Sequence, residues 1–133
     1  MLQAEDYDAL GAFRYGMRKF LRFSREFLAE EGLTPEQYEA MLAIKIRADT
    51  QGLNIRDLSE RLQVKHHTTV SLVNKLVARK LVIKKRAARD RREMHLTLTP
   101  AGDSTLAQLA AIHQREIRHR APELMDALQR LIK

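Results

Sequence analysis

Apolar residues recur at helical spacing through most of the chain, and the breaks in that rhythm fall where helix-ending residues stand. Over residues 7–31 the apolar positions are Leu10, Phe13, Met17, Phe20, Leu21, Phe27 and Leu28, and Gly32 closes the segment as a residue one past a helix C-cap would. "TPEQ" at 34–37 predicts the next helix, with Thr34 as N-cap, Pro35 in the first turn and Gln37 completing a capping box. Its inward side is expected to carry Tyr38, Met41, Leu42 and Ile46, and "ADTQG" at 48–52 ends it. "NIRD" at 54–57 repeats the capping pattern with Asn54 and Asp57, and Leu58 and Leu62 mark the inner face of a short helix.

After a break of about three residues, "HHTTVSLVNKLVARK" returns to helical spacing with Thr69, Leu72, Val73 and Leu76 on one face. Two short helices around a tight turn predict a helix-turn-helix. "LVIKKR" and "EMHLTL" then read as two strands of a hairpin, the second with Met94, Leu96 and Leu98 on a buried face and His95 pointing to solvent. Thr99 and Pro100 restart a helix whose stripe is Leu106, Leu109, Ala110, His113 and Ile117. Pro122 is expected to open a separate last helix carrying Leu124, Met125, Leu128, Leu131 and Ile132. His113, on an apolar stripe, reads as a buried and hydrogen-bonded imidazole rather than a ligand. The fold class is therefore mainly α (α+β): a winged helix-turn-helix with a small antiparallel wing and long terminal helices.

Charge alters the picture by its placement. The net charge is +7, and from Lys65 to Arg92 there are ten Lys or Arg and one acid, Asp90, a balance of +9 that leaves −2 for the remainder. Such a concentrated patch suits a polyanion. The helix at 66–79 turns His67, Ser71, Asn74 and Ala78 away from its apolar face, with Thr68 and Lys75 at the border; short polar side chains of this kind can approach and read base edges in a major groove. A solvated helix face would more commonly carry Glu and Lys. The chain has no cysteine, which removes disulfides, thiolate metal sites and thiol redox sensing. No nucleotide-binding glycine loop, catalytic triad or metal-ligand spacing stands out, and adjacent His66 and His67 point about 100° apart on a helix, so no enzyme, metal or cofactor is implied. The acidic start "MLQAEDYDALGAF" is unlike a signal peptide, and no apolar run approaches a membrane span; a cytoplasmic protein is the expectation.

The stretch from "LNIRDLSERLQV" through "HHTTVSLVNKLVARKLV" to "RDRREMHLTLTPAG" resembles the multiple antibiotic resistance regulator (MarR) family. An Asp with an Arg two residues later, preceding a strand that ends in Leu-Thr, looks like that family's wing signature; here these are Asp90, Arg92, Leu98 and Thr99. The resemblance spans nearly the whole chain and implies one domain, 1–133, with dimerisation helices at 1–32 and 100–133 and a DNA-binding lobe at 33–99. It implies a homodimeric regulator of transcription, a repressor on a palindromic operator of double-stranded DNA. The DNA-contacting residues would be His66, His67, Thr68, Ser71, Asn74 and Lys75 on the recognition helix and Lys84, Lys85, Arg86, Arg89, Asp90, Arg91 and Arg92 on the wing. An arginine of the tip, Arg89 or Arg91, would enter a minor groove while Asp90 orients a neighbouring guanidinium. A small aromatic or phenolic effector is a further implication, with Phe13, Arg14, Tyr15 and Arg18 as candidates to line its site. Two positions depart from the family pattern: Lys65 stands where an N-capping Ser or Asp is common, and Lys80 where Gly is usual. The alternative from another class is a winged-helix module docking its basic face on an acidic protein partner.

Overall fold

The computed structural model describes residues 1–48, 52–87 and 92–133. The elements run α1 (Ala4–Glu30), α2 (Pro35–Arg47), α3 (Ile55–Leu62), α4 (His66–Ala78), β1 (Val82–Arg86), β2 (Met94–Leu98) and α5 (Pro100–Ile132). They form two compact units, one of residues 33–109 and one of residues 1–32 with 110–133.

In the 33–109 unit each helix starts where local chemistry says it should. Thr34 Oγ1 accepts from the N–H of Gln37, and the Gln37 side chain accepts from the N–H of Thr34, at 3.2 and 2.9 Å. Asn54 Oδ1 accepts from the N–H of Asp57 at 2.8 Å. Tyr38, Met41 and Ile44 of α2 meet Leu58 of α3, Leu72, Val73 and Leu76 of α4, and Val82 and Leu96 of the hairpin in the buried core. The inward face of α2 thus runs through Ile44, while the expected Ile46 is 56% exposed. Positions 41 and 44 lie about 60° apart on a helix and 41 and 46 about 140°, too far to share one face.

Helix ends are closed by left-handed residues, and only some of these are glycine. Gly32 has φ 72° after α1, as its position predicts. Gln63 (φ 56°) turns the chain between α3 and α4, and Lys80 (φ 62°) closes α4. At Lys80 the closure is complete: its N–H donates to Val77 O at 2.9 Å, and that of Leu81 to Leu76 O at 3.0 Å. A lysine therefore occupies the conformation for which glycine is favoured.

The hairpin pairs Val82 with Leu98 through Arg86 with Met94, antiparallel, and Leu53 adds one bridge to Leu96 on its other side. Leu96 is buried and Leu98 half-buried, but Met94 is exposed, because the hairpin leaves the core towards its tip. His95 is half-buried rather than solvated: Gly52 (φ 80°) presses on it so closely that an added Cβ would sit 2.5 Å from His95 Nδ1. Below the hairpin, Thr99 caps α5, accepting from the N–H of Gly102 at 2.9 Å and donating its hydroxyl to Lys80 O at 2.7 Å. Gly102 packs directly on Leu81, where a Cβ would fall 2.0 Å from the carbonyl oxygen.

In the other unit α1 and the later part of α5 run antiparallel, with Asp8 bonded to Arg130, Lys19 to Glu123 and Ser24 to His113. Ala9 and Ala127 are fully buried, and Gly16 accommodates Leu124, whose Cδ2 would lie 2.7 Å from an added Cβ. His113 is buried as expected, its Nε2 2.8 Å from Ser24 Oγ and its ring edge-on to Phe20, Phe23 and Phe27. The expected break at Pro122 does not occur: α5 is a single helix, with Pro122 inside it. Proline forfeits one backbone hydrogen bond, and here packing holds the helix on both sides of it, through His113 before and Leu124 and Ala127 after. The apolar stripes also split. Leu10, Leu21, Ile117, Met125, Leu128 and Ile132 remain 42–80% exposed in the single chain.

These closures are testable by chemical or thermal unfolding. Lys80→Gly should stabilise the fold by about 1 kcal/mol, since it relieves the left-handed cost of a side chain. Gly102→Ala should destabilise it by roughly 1–3 kcal/mol through overpacking on Leu81. A neutral Gly102→Ala would mean that α5 can shift freely off the Leu81 carbonyl.

Candidate nucleic-acid interface

The candidate surface belongs wholly to the 33–109 unit. On α4, Thr69, Leu72, Val73 and Leu76 are buried, which turns the opposite side outward. His67, Thr68, Ser71, Asn74 and Lys75 are all exposed, as the angular reading predicts, and His66 at the helix start is exposed as well. The buried Thr69 hydroxyl sets this face: it accepts from Ser59 Oγ of α3 at 2.8 Å and donates to Lys65 O at 3.3 Å. A Ser–Thr contact in the middle of the helix-turn-helix thereby fixes how α4 is rolled relative to α3.

The start of α4 is unusual. Lys65 occupies the N-cap with no side-chain capping bond, and no acid stands in the first turn. The first-turn N–H groups of a helix have no intrahelical acceptors and carry the positive end of its dipole. With Lys65, His66 and His67 around them, they offer a phosphate oxygen a concentrated set of donors. A capping serine would stabilise the free helix and occupy one of those donors.

Lys84, Lys85 and Arg86 are exposed along β1, and Arg92 is exposed just before β2. Arg89, Asp90 and Arg91 lie outside the described residues. The hairpin is tied to α4 directly: Lys84 Nζ donates to Asn74 Oδ1 at 3.0 Å. It is tied to α3 by Asn54, whose Oδ1 caps that helix while its Nδ2 donates to Glu93 Oε1. Glu93 also stands 3.7 Å from His95 Nε2. One asparagine side chain thus bridges the helix-turn-helix and the tip end of the hairpin.

Sequence reading missed part of this surface. Arg56, on the first turn of α3, faces an open depression of about 530 Å³ that Asn54, His66, Arg92, Glu93 and Met94 also line. Three basic side chains, Arg56, His66 and Arg92, meet there from α3, α4 and the wing. Only the run of basic residues was visible in sequence; Arg56 is a single cation in a mixed stretch. The four effector-site candidates do not converge. Arg14 and Arg18 line an open groove on the other unit with Met17, Leu21, Arg22 and Arg25, whereas the Tyr15 ring lies 4.4 Å from Lys19 Nζ and Phe13 is half-buried elsewhere on α1.

A helix-turn-helix whose second helix presents a small polar face, followed by a two-stranded basic hairpin, defines a winged helix-turn-helix protein. A family model described as the MarR family matches residues 31–93, and the HTH-type transcriptional regulator SarZ of Staphylococcus epidermidis is 30% identical over 102 residues, 77% of this chain and 67% of SarZ. The chain belongs to the MarR family. A Thauera aromatica protein named for transcriptional regulation of the hcr operon is also 30% identical, over 108 residues and 81% of this chain, which spans 63% of that relative's length. The solved complex of Staphylococcus aureus MepR with DNA shares the fold at a TM-score of 0.70 and 22% identity, covering 84% of this chain and 80% of MepR.

The double role of Asn54 predicts a graded series. Asn54→Ala should cost roughly 1 kcal/mol of stability from the lost cap alone. Asn54→Asp keeps the cap acceptor but sets a second carboxylate against Glu93, so at neutral pH it should unfold more easily than Asn54→Ser. That deficit should shrink as pH falls through the carboxylate range and the new repulsion is neutralised. Equal melting of the Asp and Ser variants at all pH values would remove Glu93 from this account.

Proposed function

We propose that the protein is a homodimeric, sequence-specific regulator of transcription that represses by occupying a palindromic operator in double-stranded DNA. The observation that carries this reading is the union, on one unit, of the outward polar face of α4 with the basic strand β1, joined by the Lys84–Asn74 hydrogen bond. Ser71 and Asn74 are suited to base edges; the uncapped start of α4 with Lys65, His66 and Arg56 is suited to phosphates. Lys85, Arg86 and Arg92 would carry the hairpin along the DNA backbone. For the tip the support is the sequence alone: an arginine, Arg89 or Arg91, in a narrow minor groove, with Asp90 orienting its neighbour. MepR, a MarR-family-like fold solved with DNA, supports the choice of ligand.

The exposed apolar residues of α1 and α5 support a dimer. Leu10, Leu21, Ile117, Met125, Leu128 and Ile132 lie on one unit and are too many to leave in water as scattered surface residues. Two copies would place two α4 helices about one helical turn, roughly 10 base pairs, apart on a two-fold site. Release by a small effector belongs to the same reading. The α1 groove with Arg14 and Arg18 beside Met17 and Leu21 offers an aromatic anion both guanidinium and apolar contacts.

Selection of bound duplexes from a random pool tests the central point. The expected result is a palindromic consensus whose binding weakens steeply with salt, as counterion release requires. A shallow salt dependence and no consensus would favour the docking of the basic face on an acidic protein. For assembly, Leu128→Glu should leave the single-chain fold intact, since the residue is exposed, but should convert a dimer to a monomer in light scattering. It should weaken operator binding with it. A dimer that survives this change and Leu21→Glu together would place the interface elsewhere.

A further inference from the structure

We propose that Asn74 and Lys84 form one composite reader of guanine, in which Lys84 commits the Asn74 amide to acting as a donor. The inference rests on α4 being the helix that meets base edges, and it adds which base the pair selects.

An asparagine standing alone on a recognition helix shows an acceptor and a donor side by side. That matches adenine, which presents an amino donor and the N7 acceptor in the major groove. Asn74 does not stand alone. Its Oδ1 accepts from Lys84 Nζ at 3.0 Å, so the group beside the amide oxygen is a cation. An amide oxygen has a second lone pair, but an adenine amino group approaching it would bring its own positive hydrogens against the ammonium. Guanine meets the opposite situation. Its O6 and N7 are both acceptors, and the pair presents only donors: the Asn74 Nδ2 hydrogens and the two N–H groups that Lys84 keeps after bonding Asn74. Together they imitate the donor fork with which arginine reads guanine.

Both backbones are held firmly enough for the pairing to persist. Asn74 follows the buried Val73 and precedes the buried Leu76 on α4. Lys84 is opposite Leu96 in the hairpin, and the N–H of Leu96 donates to Leu53 O at 2.8 Å. Both residues are exposed, so substituting them should leave the fold unchanged, as melting curves will verify.

The test is duplex selection from a random pool with the full chain, run on wild type, Asn74→Ala and Lys84→Met. The position that Asn74 reads is the one whose preference flattens in Asn74→Ala. Wild type should prefer guanine over adenine there by roughly tenfold or more, within the range of a good bidentate contact. Lys84→Met frees the amide oxygen, so the same position should change to adenine while the rest of the consensus stands. Adenine preferred by wild type at that position would overturn the proposal. So would retained guanine in Lys84→Met with binding weakened evenly on all duplexes, since Lys84 would then be a phosphate contact. Failure of the underlying reading looks different: wild type enriches no consensus, or Asn74→Ala enriches the same one at every position.

Discussion

The carbonyl oxygens of Lys80 and Leu81 accept from the hydroxyl and the N–H of Thr99, at 2.7 and 3.1 Å, and this pair of bonds sets the register of the hairpin on which the basic face is built. Val82 follows on one strand and Leu98 precedes on the other, so their pairing is imposed from below. A slip of one residue would turn every hairpin side chain to the opposite face, and Lys84 would no longer reach Asn74. The junction is costly to form. It needs Lys80 in a left-handed conformation and Gly102 without a side chain against Leu81. Those two requirements are met by one favourable and one unfavourable residue choice, and the closure of α4 stands on the hydrogen bonds that Lys80 and Leu81 return to Val77 and Leu76.

What could be read in the sequence is what depends on near neighbours. The caps at Thr34, Asn54 and Thr99 were legible because donor and acceptor are three residues apart, and the roll of α4 was legible because its apolar and polar positions separate at 100° per residue. Contacts between distant positions were not. The bonds of Asn54 to Glu93 and Ser59 to Thr69 join residues that carry no mutual signal in a single chain. Pro122 misled for a related reason: its local preference for a helix start is outweighed by packing that only the antiparallel α1 supplies. The stripe on α2 was misjudged at Ile46 because Ile44 and Ile46 are equally apolar in the sequence although, two residues apart, they lie on nearly opposite sides of the helix.

On the proposed function, stability and DNA binding pull in opposite directions at the start of α4. A serine or aspartate in place of Lys65 would cap the helix and stabilise it by about 1 kcal/mol. The chain has a lysine there instead, with two histidines next in line and no acid in the first turn, so the positive end of the helix dipole and the Lys65 ammonium face outward together. In the free protein this is an unfavourable concentration of positive charge. Against a phosphate backbone the same groups lose their mutual repulsion and gain a common partner. The neighbouring Arg56 and Arg92 extend the logic around the depression that α3, α4 and the wing share.

The same division of labour appears in how the two units spend their apolar residues. The 33–109 unit buries Met41, Ile44, Leu58, Leu76 and Val82 almost completely, so its outer face is free to be polar and basic. The unit of α1 and late α5 instead uses small residues, Ala9, Gly16 and Ala127, to bring its two helices close. Close approach leaves little room between the helices for large side chains, and Leu21, Met125, Leu128 and Ile132 are turned outward as a result. A two-helix unit has no further layer of its own to cover them. Burial by a second copy would supply that layer and, in the same step, duplicate the proposed DNA-reading face on a two-fold axis. Association would then serve both the stability of one unit and the proposed avidity of the other.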